Sequence, residues 1–325
     1  MFSLPIIDYE RHPIYSRTPM DDPAAKSKAL EQFEPMLERK RHSIKTALPL
    51  FNARAKSASN AIADTLARDG VVAIHPPAAA LNKLREAFEP MNQELARTLD
   101  GIKARGERIK FSHTQIVLCQ GGKPVPGMEE QGNLVLKTVA DWSIAEIGQA
   151  YYPGCRVEVN AVGFRRNVES QDFYTNVFKD DGVEDPKTSG MHIDSNSATC
   201  LNGIIYLNEV TPDQGPFHFV PGSNHWEFDP EDRAIRKAID ETGSGTPRGR
   251  AMFMTLPAEF RHKAGFGFDL LDGTPESDEL LSLETKFTSD KGQLLLFDSD
   301  GVHRGGNVRK GHRTSILITM TVKPN

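Results

Sequence analysis

The sequence predicts a mainly β protein with a helical cover, and three observations carry that reading. In the C-terminal half, runs of β-formers alternate with turn residues: Thr199 to Val210, Phe217 to Val220, Gly292 to Phe297 and Thr314 to Val322. In the N-terminal half, Leu81, Leu84, Phe88, Met91 and Leu95 recur three and four residues apart, the stripe of an amphipathic helix that packs on a sheet. Finally, His192 and Asp194 stand two apart at the expected end of a strand, so their side chains face the same way.

Taken in order, residues 1–55 are charged and irregular, with a helix expected near Ala24 to Lys45. Ile62 and Leu66 mark one face of a second helix, which Gly70 ends. Val71 to Ile74 reads as a strand, and the Leu81 to Leu95 stripe follows Pro76-Pro77. Residues 111–150 carry mixed strand and helix signals. Arg156 to Phe164 alternates as a strand, with Val157, Val159 and Ala161 on one face and Glu158 and Asn160 on the other. If the apolar face meets the helices, Asn160 points inward towards cosubstrate or substrate; its alternative role is a satisfied structural amide.

Beyond the His192-Ile193-Asp194 triplet, the strand Thr199 to Val210 ends in the turn Thr211 to Gly215. Residues 227–291 form an insertion with a helix expected over Pro230 to Thr242 and a loop, GSGTPRGR, that lacks the Lys-Ser/Thr of a phosphate-binding loop. Long loops of this kind often act as lids, and Asn167 to Gly190 is a second candidate. The buried run Gly292 to Phe297 precedes His303, and Gly305-Gly306-Asn307 permits the reversal into the last strand. The whole is expected to be one catalytic domain over 1–325, helix-rich in 1–150 and with its β core in 151–325.

Chance supplies about 1.4 His-x-acid triplets at this composition, 10 His and 44 Asp+Glu in 325 residues, so the triplet needs its context. A second one, His225-Trp226-Glu227, follows the turn-forming Pro221-Gly222-Ser223 and reads as surface. His192, Asp194 and the distal His303 make up a two-histidine, one-carboxylate set of the kind that can hold Fe(II) on one face and leave the other open. Arg313 and Ser315, two apart at the start of the last strand, can face the same side, where a guanidinium fork suits a carboxylate. The same ligands could hold zinc in a hydrolase or isomerase, or serve a metal-binding sensor without turnover.

The stretches HIDSNSATCLNGIIYLNEVTPDQGPFHFVPGSNHW and GQLLLFDSDGVHRGGNVRKGHRTS resemble the phytanoyl-CoA hydroxylase-like branch of the Fe(II)/2-oxoglutarate-dependent oxygenases, from about Val157 to the end of the chain. The resemblance implies a double-stranded β-helix, a cupin-like jelly roll with N-terminal helices packed on one sheet. By position, it implies that His192, Asp194 and His303 ligate Fe(II), that Arg313 clamps the distal carboxylate of 2-oxoglutarate, and that Ser315 assists. It further implies consumption of 2-oxoglutarate and O2, release of succinate and CO2, and oxidation of an unactivated C–H bond in a small organic molecule, by hydroxylation, desaturation or ring closure. Related halogenases replace the metal-binding carboxylate with a small residue; Asp194 is retained here, which argues against halogenation.

Net charge is −5, so no general attraction to nucleic acid is expected. Arg39-Lys40-Arg41-His42 reads as a solvated helix face, and His218, His262 and His312 have no partner at ligand spacing. Arg165-Arg166 could meet a substrate carboxylate or phosphate, although a salt bridge is the simpler fate. The cysteines, Cys119, Cys155 and Cys200, lack zinc-like spacing, and no apolar run approaches a membrane span. A reduced, cytoplasmic enzyme is the expectation; oligomeric state is not legible.

Overall fold

In the computed structural model, the described residues are 8–17, 23–55, 57–58, 60–169, 182–183, 187–188, 190–194, 200–225, 230–241, 253–261 and 270–325. The expected GSGTPRGR loop, His262 and most of the Asn167 to Gly190 segment lie outside them. Contacts group the chain into two units: 1–51, 174–198 and 225–284 form one, and 52–173, 199–224 and 285–325 the other.

The second unit carries the sheets. Helix α2 (Ala61–Asp69) begins where the Asn60 side chain accepts hydrogen bonds from the Ile62 and Ala63 amides. It ends at Gly70, whose φ of 74° reverses the chain into strand β1 (Val71–Ile74). A side chain at Gly70 would also strike Asn224, so the residue is fixed twice over. Helix α3 (Ala78–Ala104) follows, and its buried positions Leu81, Leu84, Phe88 and Leu95 are those of the sequence stripe; Met91 is half-buried.

After β2 (Gln115–Gln120) and the short β3 (Lys123–Pro124), helices α4 (Glu129–Asp141) and α5 (Ile144–Tyr151) lead into β4 (Cys155–Val168). Strand β5 (Cys200–Tyr206), β6 (Phe217–Phe219), β7 (Thr285–Phe287), β8 (Leu294–Asp298), β9 (His303–Gly305) and β10 (His312–Pro324) complete the set. They form a seven-stranded sheet in the order β1-β8-β5-β10-β4-β2-β3 and a three-stranded sheet in the order β7-β6-β9, with all pairings antiparallel.

The fold is therefore mixed α/β, two antiparallel sheets of a jelly roll with helices on the larger one. Phe88 of α3 stacks on Phe164 of β4, with ring centroids 5.2 Å apart. Gly148 of α5 lets that helix approach so closely that a methyl group there would lie 3.0 Å from Leu201 and Val157. The opposite face of the large sheet meets the small one through Val71, Tyr206, Val210, Phe217, Phe219, Leu295 and Phe297.

Strand β4 is longer than the expected Arg156 to Phe164 and is not regular. Its pairing with β10 slips between Thr319 and Met320, which face Ala161 and Val159, so Asn160 is the extra residue of a bulge. Alternation therefore changes phase: Cys155 and Val157 are buried before it, Val162 and Phe164 after it.

The first unit contains α1 (Pro23–Asn52), α6 (Pro230–Glu241) and a helix over Pro275–Leu283 capped by Thr274. Tyr9 and Tyr15 pack edge-on against Phe253, and Arg261 pairs with Glu10. Arg41 of the basic run pairs with Glu38 and with Glu231 of α6, so that face of α1 is partly engaged. Among the described residues, no helix is long and apolar enough to cross a membrane.

Candidate metal centre

His303 opens β9 after the short segment that leaves β8, and is 5 % exposed. Phe217, Phe219 and Phe297 surround its ring, with Phe219 stacked at an interplanar angle of 15°. Its Nδ1 lies 2.8 Å from the Gly301 carbonyl oxygen, which can only accept; Nδ1 therefore carries the proton and Nε2 the lone pair.

His192 repeats the device. Its Nδ1 lies 2.7 Å from the Gly190 carbonyl oxygen, which again assigns the lone pair to Nε2. Asp194 presents Oδ1 at 3.6 Å from that Nε2, as expected of side chains two apart on an extended segment. Among the described residues, His192, Asp194 and His303 form the group able to hold a metal ion: one ligand atom from each lies within 4.8 Å of the others. Two neutral imidazoles and one carboxylate suit a divalent first-row metal, so the donor set fits Fe(II).

Arg313, the expected anchor for a carboxylate, is positioned by register. Arg313 on β10 pairs with Asn167 on β4, and its Nη2 donates to Asn167 Oδ1 at 3.1 Å. Ser315, two residues on, is buried and pairs with Arg165 on one side and Tyr206 on the other. The Tyr206 hydroxyl accepts a hydrogen bond from the Phe217 amide at 2.7 Å, which leaves its proton available to an acceptor. Burial pushes its pKa up while the Arg313 charge opposes the shift, so the phenol stays a neutral donor.

One sequence expectation is corrected. Asn160 is exposed on the bulge of β4, not directed inward, because the extra residue changes which side chains face the helices. Arg165 and Arg166 point to opposite faces. Arg165 lies 4.6 Å over the Phe111 ring, and Arg166 donates to Asn92 Oδ1 at 2.6 Å. His218 is a core residue whose Nδ1 accepts from Arg304 Nε, and Trp226-Glu227 of the second triplet lie outside the described residues.

Three contributors escape the sequence reading: Asn167, Tyr206 and Lys237. Lys237 lies on α6 with only 2 % exposure, and its ammonium donates to the Asp194 backbone carbonyl at 2.9 Å. One usable signal was present: a glycine stands two residues before each candidate ligand histidine, in Gly190-Met191-His192 and Gly301-Val302-His303.

A family model described as phytanoyl-CoA dioxygenase (PhyH) matches residues 66–314. Among solved structures, the chain is similar to the non-heme alpha ketoglutarate dependent epimerase SnoN from nogalamycin biosynthesis (14 % identity, 80 % of this chain and 81 % of that one, TM-score 0.43). It is similar also to EctD from S. alaskensis with bound Fe (16 %, 80 % and 75 %, 0.43). A third is the non-heme alpha ketoglutarate dependent carbocyclase SnoK from nogalamycin biosynthesis (13 %, 82 % and 85 %, 0.43). No curated protein matches the chain.

Proposed function

This chain belongs to the phytanoyl-CoA dioxygenase family of Fe(II)/2-oxoglutarate-dependent oxygenases, and we propose that it oxidises an unactivated C–H bond of a small organic molecule, by hydroxylation in the first instance. His192, Asp194 and His303 hold the iron; Arg313 binds the distal carboxylate of 2-oxoglutarate with Ser315. The observation that carries this reading is the grouping of the three donors within 4.8 Å, with both imidazoles turned by main-chain carbonyls to offer Nε2.

With 2-oxoglutarate and O2, iron supplies the oxidising power, and succinate and CO2 leave as products. The chain's own residues bind, orient and exclude. The Arg313 guanidinium, steadied by Asn167, forks onto a carboxylate, and the hydroxyls of Ser315 and its cross-strand partner Tyr206 donate alongside it; the register supports this reading. Phe217, Phe219 and Phe297 keep water from the buried flank of His303, so its ring has one orientation. The retained Asp194 fills the position a halide would need, which favours oxygenation over halogenation.

Anaerobic Fe(II) plus 2-oxoglutarate should give a visible charge-transfer band that is lost in His192→Ala and Asp194→Ala. Arg313→Ala should weaken 2-oxoglutarate at least about ten-fold while iron affinity stays nearly constant, as expected for loss of a charge-assisted bidentate contact. Absence of the band, with activity supported by Zn(II) alone, would exclude the oxygenase. Screening succinate formation against a metabolite library then identifies the substrate.

A further inference from the structure

Arg54 belongs to no helix or strand and precedes the residues that match the family, yet its side chain is only 8 % exposed. Its guanidinium faces two carboxylates, Asp298 and Asp300, whose side chains are 0 % and 2 % exposed. Nε lies 3.1 Å from Asp298 Oδ2, and Nη2 donates to Asp300 Oδ2 at 2.6 Å and to Asp298 Oδ1 at 3.2 Å. Nε also donates to the Tyr152 hydroxyl and Nη1 to the Asn224 carbonyl, both at 3.3 Å.

Those two aspartates end β8 and begin the segment that presents His303. Asp298 also accepts from the Tyr151 hydroxyl at 2.6 Å and from the Asp300 amide at 3.0 Å, while the Gly301 amide donates to its carbonyl at 3.0 Å. Gly301 then uses its own carbonyl to fix the His303 tautomer, and the Val302 amide donates to Ser223 Oγ at 2.7 Å. A buried ion cluster is weak evidence for stability, because desolvation consumes much of the attraction, and well-packed apolar groups often stabilise as much. What such a cluster supplies is a fixed direction.

We propose that Arg54 is a positioning residue for His303: by clamping Asp298 and Asp300, it holds the Gly301 carbonyl where it orients the imidazole for metal binding. This rests on the reading of His303 as an iron ligand.

The test compares Arg54→Met, Arg54→Lys and, as a destabilised control remote from the segment, Phe88→Ala, all metal-free and fully folded at the assay temperature. Co(II) titration and hydrogen exchange at the Val302 and His303 amides are the readouts. Arg54→Met should weaken Co(II) about ten- to a hundred-fold, the range for outer-shell partners of metal ligands, and speed exchange at those amides relative to β10. Arg54→Lys should recover part of both, and Phe88→Ala should change neither.

Arg54→Met behaving like Phe88→Ala in both readouts overturns the proposal. Should Arg54→Met fail to fold, Asp300→Asn replaces it: a smaller change in the same direction supports the clamp, and no change overturns it. Wild-type protein that takes up no Co(II) removes the iron reading instead, while exchange at Val302 and His303 still decides whether Arg54 orders the segment.

Discussion

At Gly301 a methyl group has no room: built on this backbone, it would lie 2.1 Å from Phe219 Cζ. Phe219 stacks on His303, and the Gly301 carbonyl holds the same ring, so one substitution disturbs both supports of a proposed ligand. Gly301→Ala should cost about 1–3 kcal/mol, the usual penalty for overpacking, and weaken metal binding as well. Denaturant unfolding and a Co(II) titration measure the two; unchanged metal affinity would mean that Phe219 and the carbonyl do not set the ring's orientation. Residues of this kind are half-legible. His192 with Asp194, and Arg313 with Ser315, stand out because a spacing of two along one segment aligns their side chains, and His303 stands out through the motif that carries the family resemblance. Asn167 and Tyr206 do not, because cross-strand register places them beside Arg313 and Ser315, and no local pattern announces which residue lies opposite. Lys237 was hidden differently, since one lysine on a charged helix reads as solvated, whereas this one is buried against Asp194.

At the scale of elements, strands and helices were legible where a single period governs them. The α3 stripe, the β1 run and the capped α2 appear where composition puts them, since apolar spacing and the residues Asn60 and Gly70 act locally. β4 was misread at one point: a bulge adds a residue without altering the composition of the strand, and every face assignment on one side of it inverts. This distinction has a kinetic consequence. Asn160→Ala, on an exposed bulge, should leave the KM for 2-oxoglutarate unchanged, while Asn167→Ala should raise it several-fold by releasing Arg313. Steady-state succinate formation at varied 2-oxoglutarate separates the two; the reverse pattern would return Asn160 to the site and remove Asn167 from it.

For the whole molecule, stability against pH follows from groups whose burial changes their protonation. His312 lies half-buried at the start of β10, and burial, with the Arg166 charge beside it, lowers its pKa below the usual 6.5, against a smaller opposing pull from Glu89. The unfolded chain therefore binds a proton at a higher pH than the folded one, so stability is full above about pH 6.5 and falls as pH drops from there through the folded value. Asp298 acts with the opposite sign. Burial raises its pKa despite Arg54, so its contribution is fully present below the usual carboxylate value and is lost as pH rises through the folded one. The neutral-to-mildly-acid window is thus where His312 acts, and His312→Gln should flatten the fall in Tm between pH 7.5 and about pH 5.5. Asp298→Asn should remove the contribution of opposite sign and leave the His312-linked fall in place. An unaltered slope in His312→Gln would show that protonation elsewhere governs acid sensitivity, and that burial and the Arg166 charge do not set this imidazole's titration.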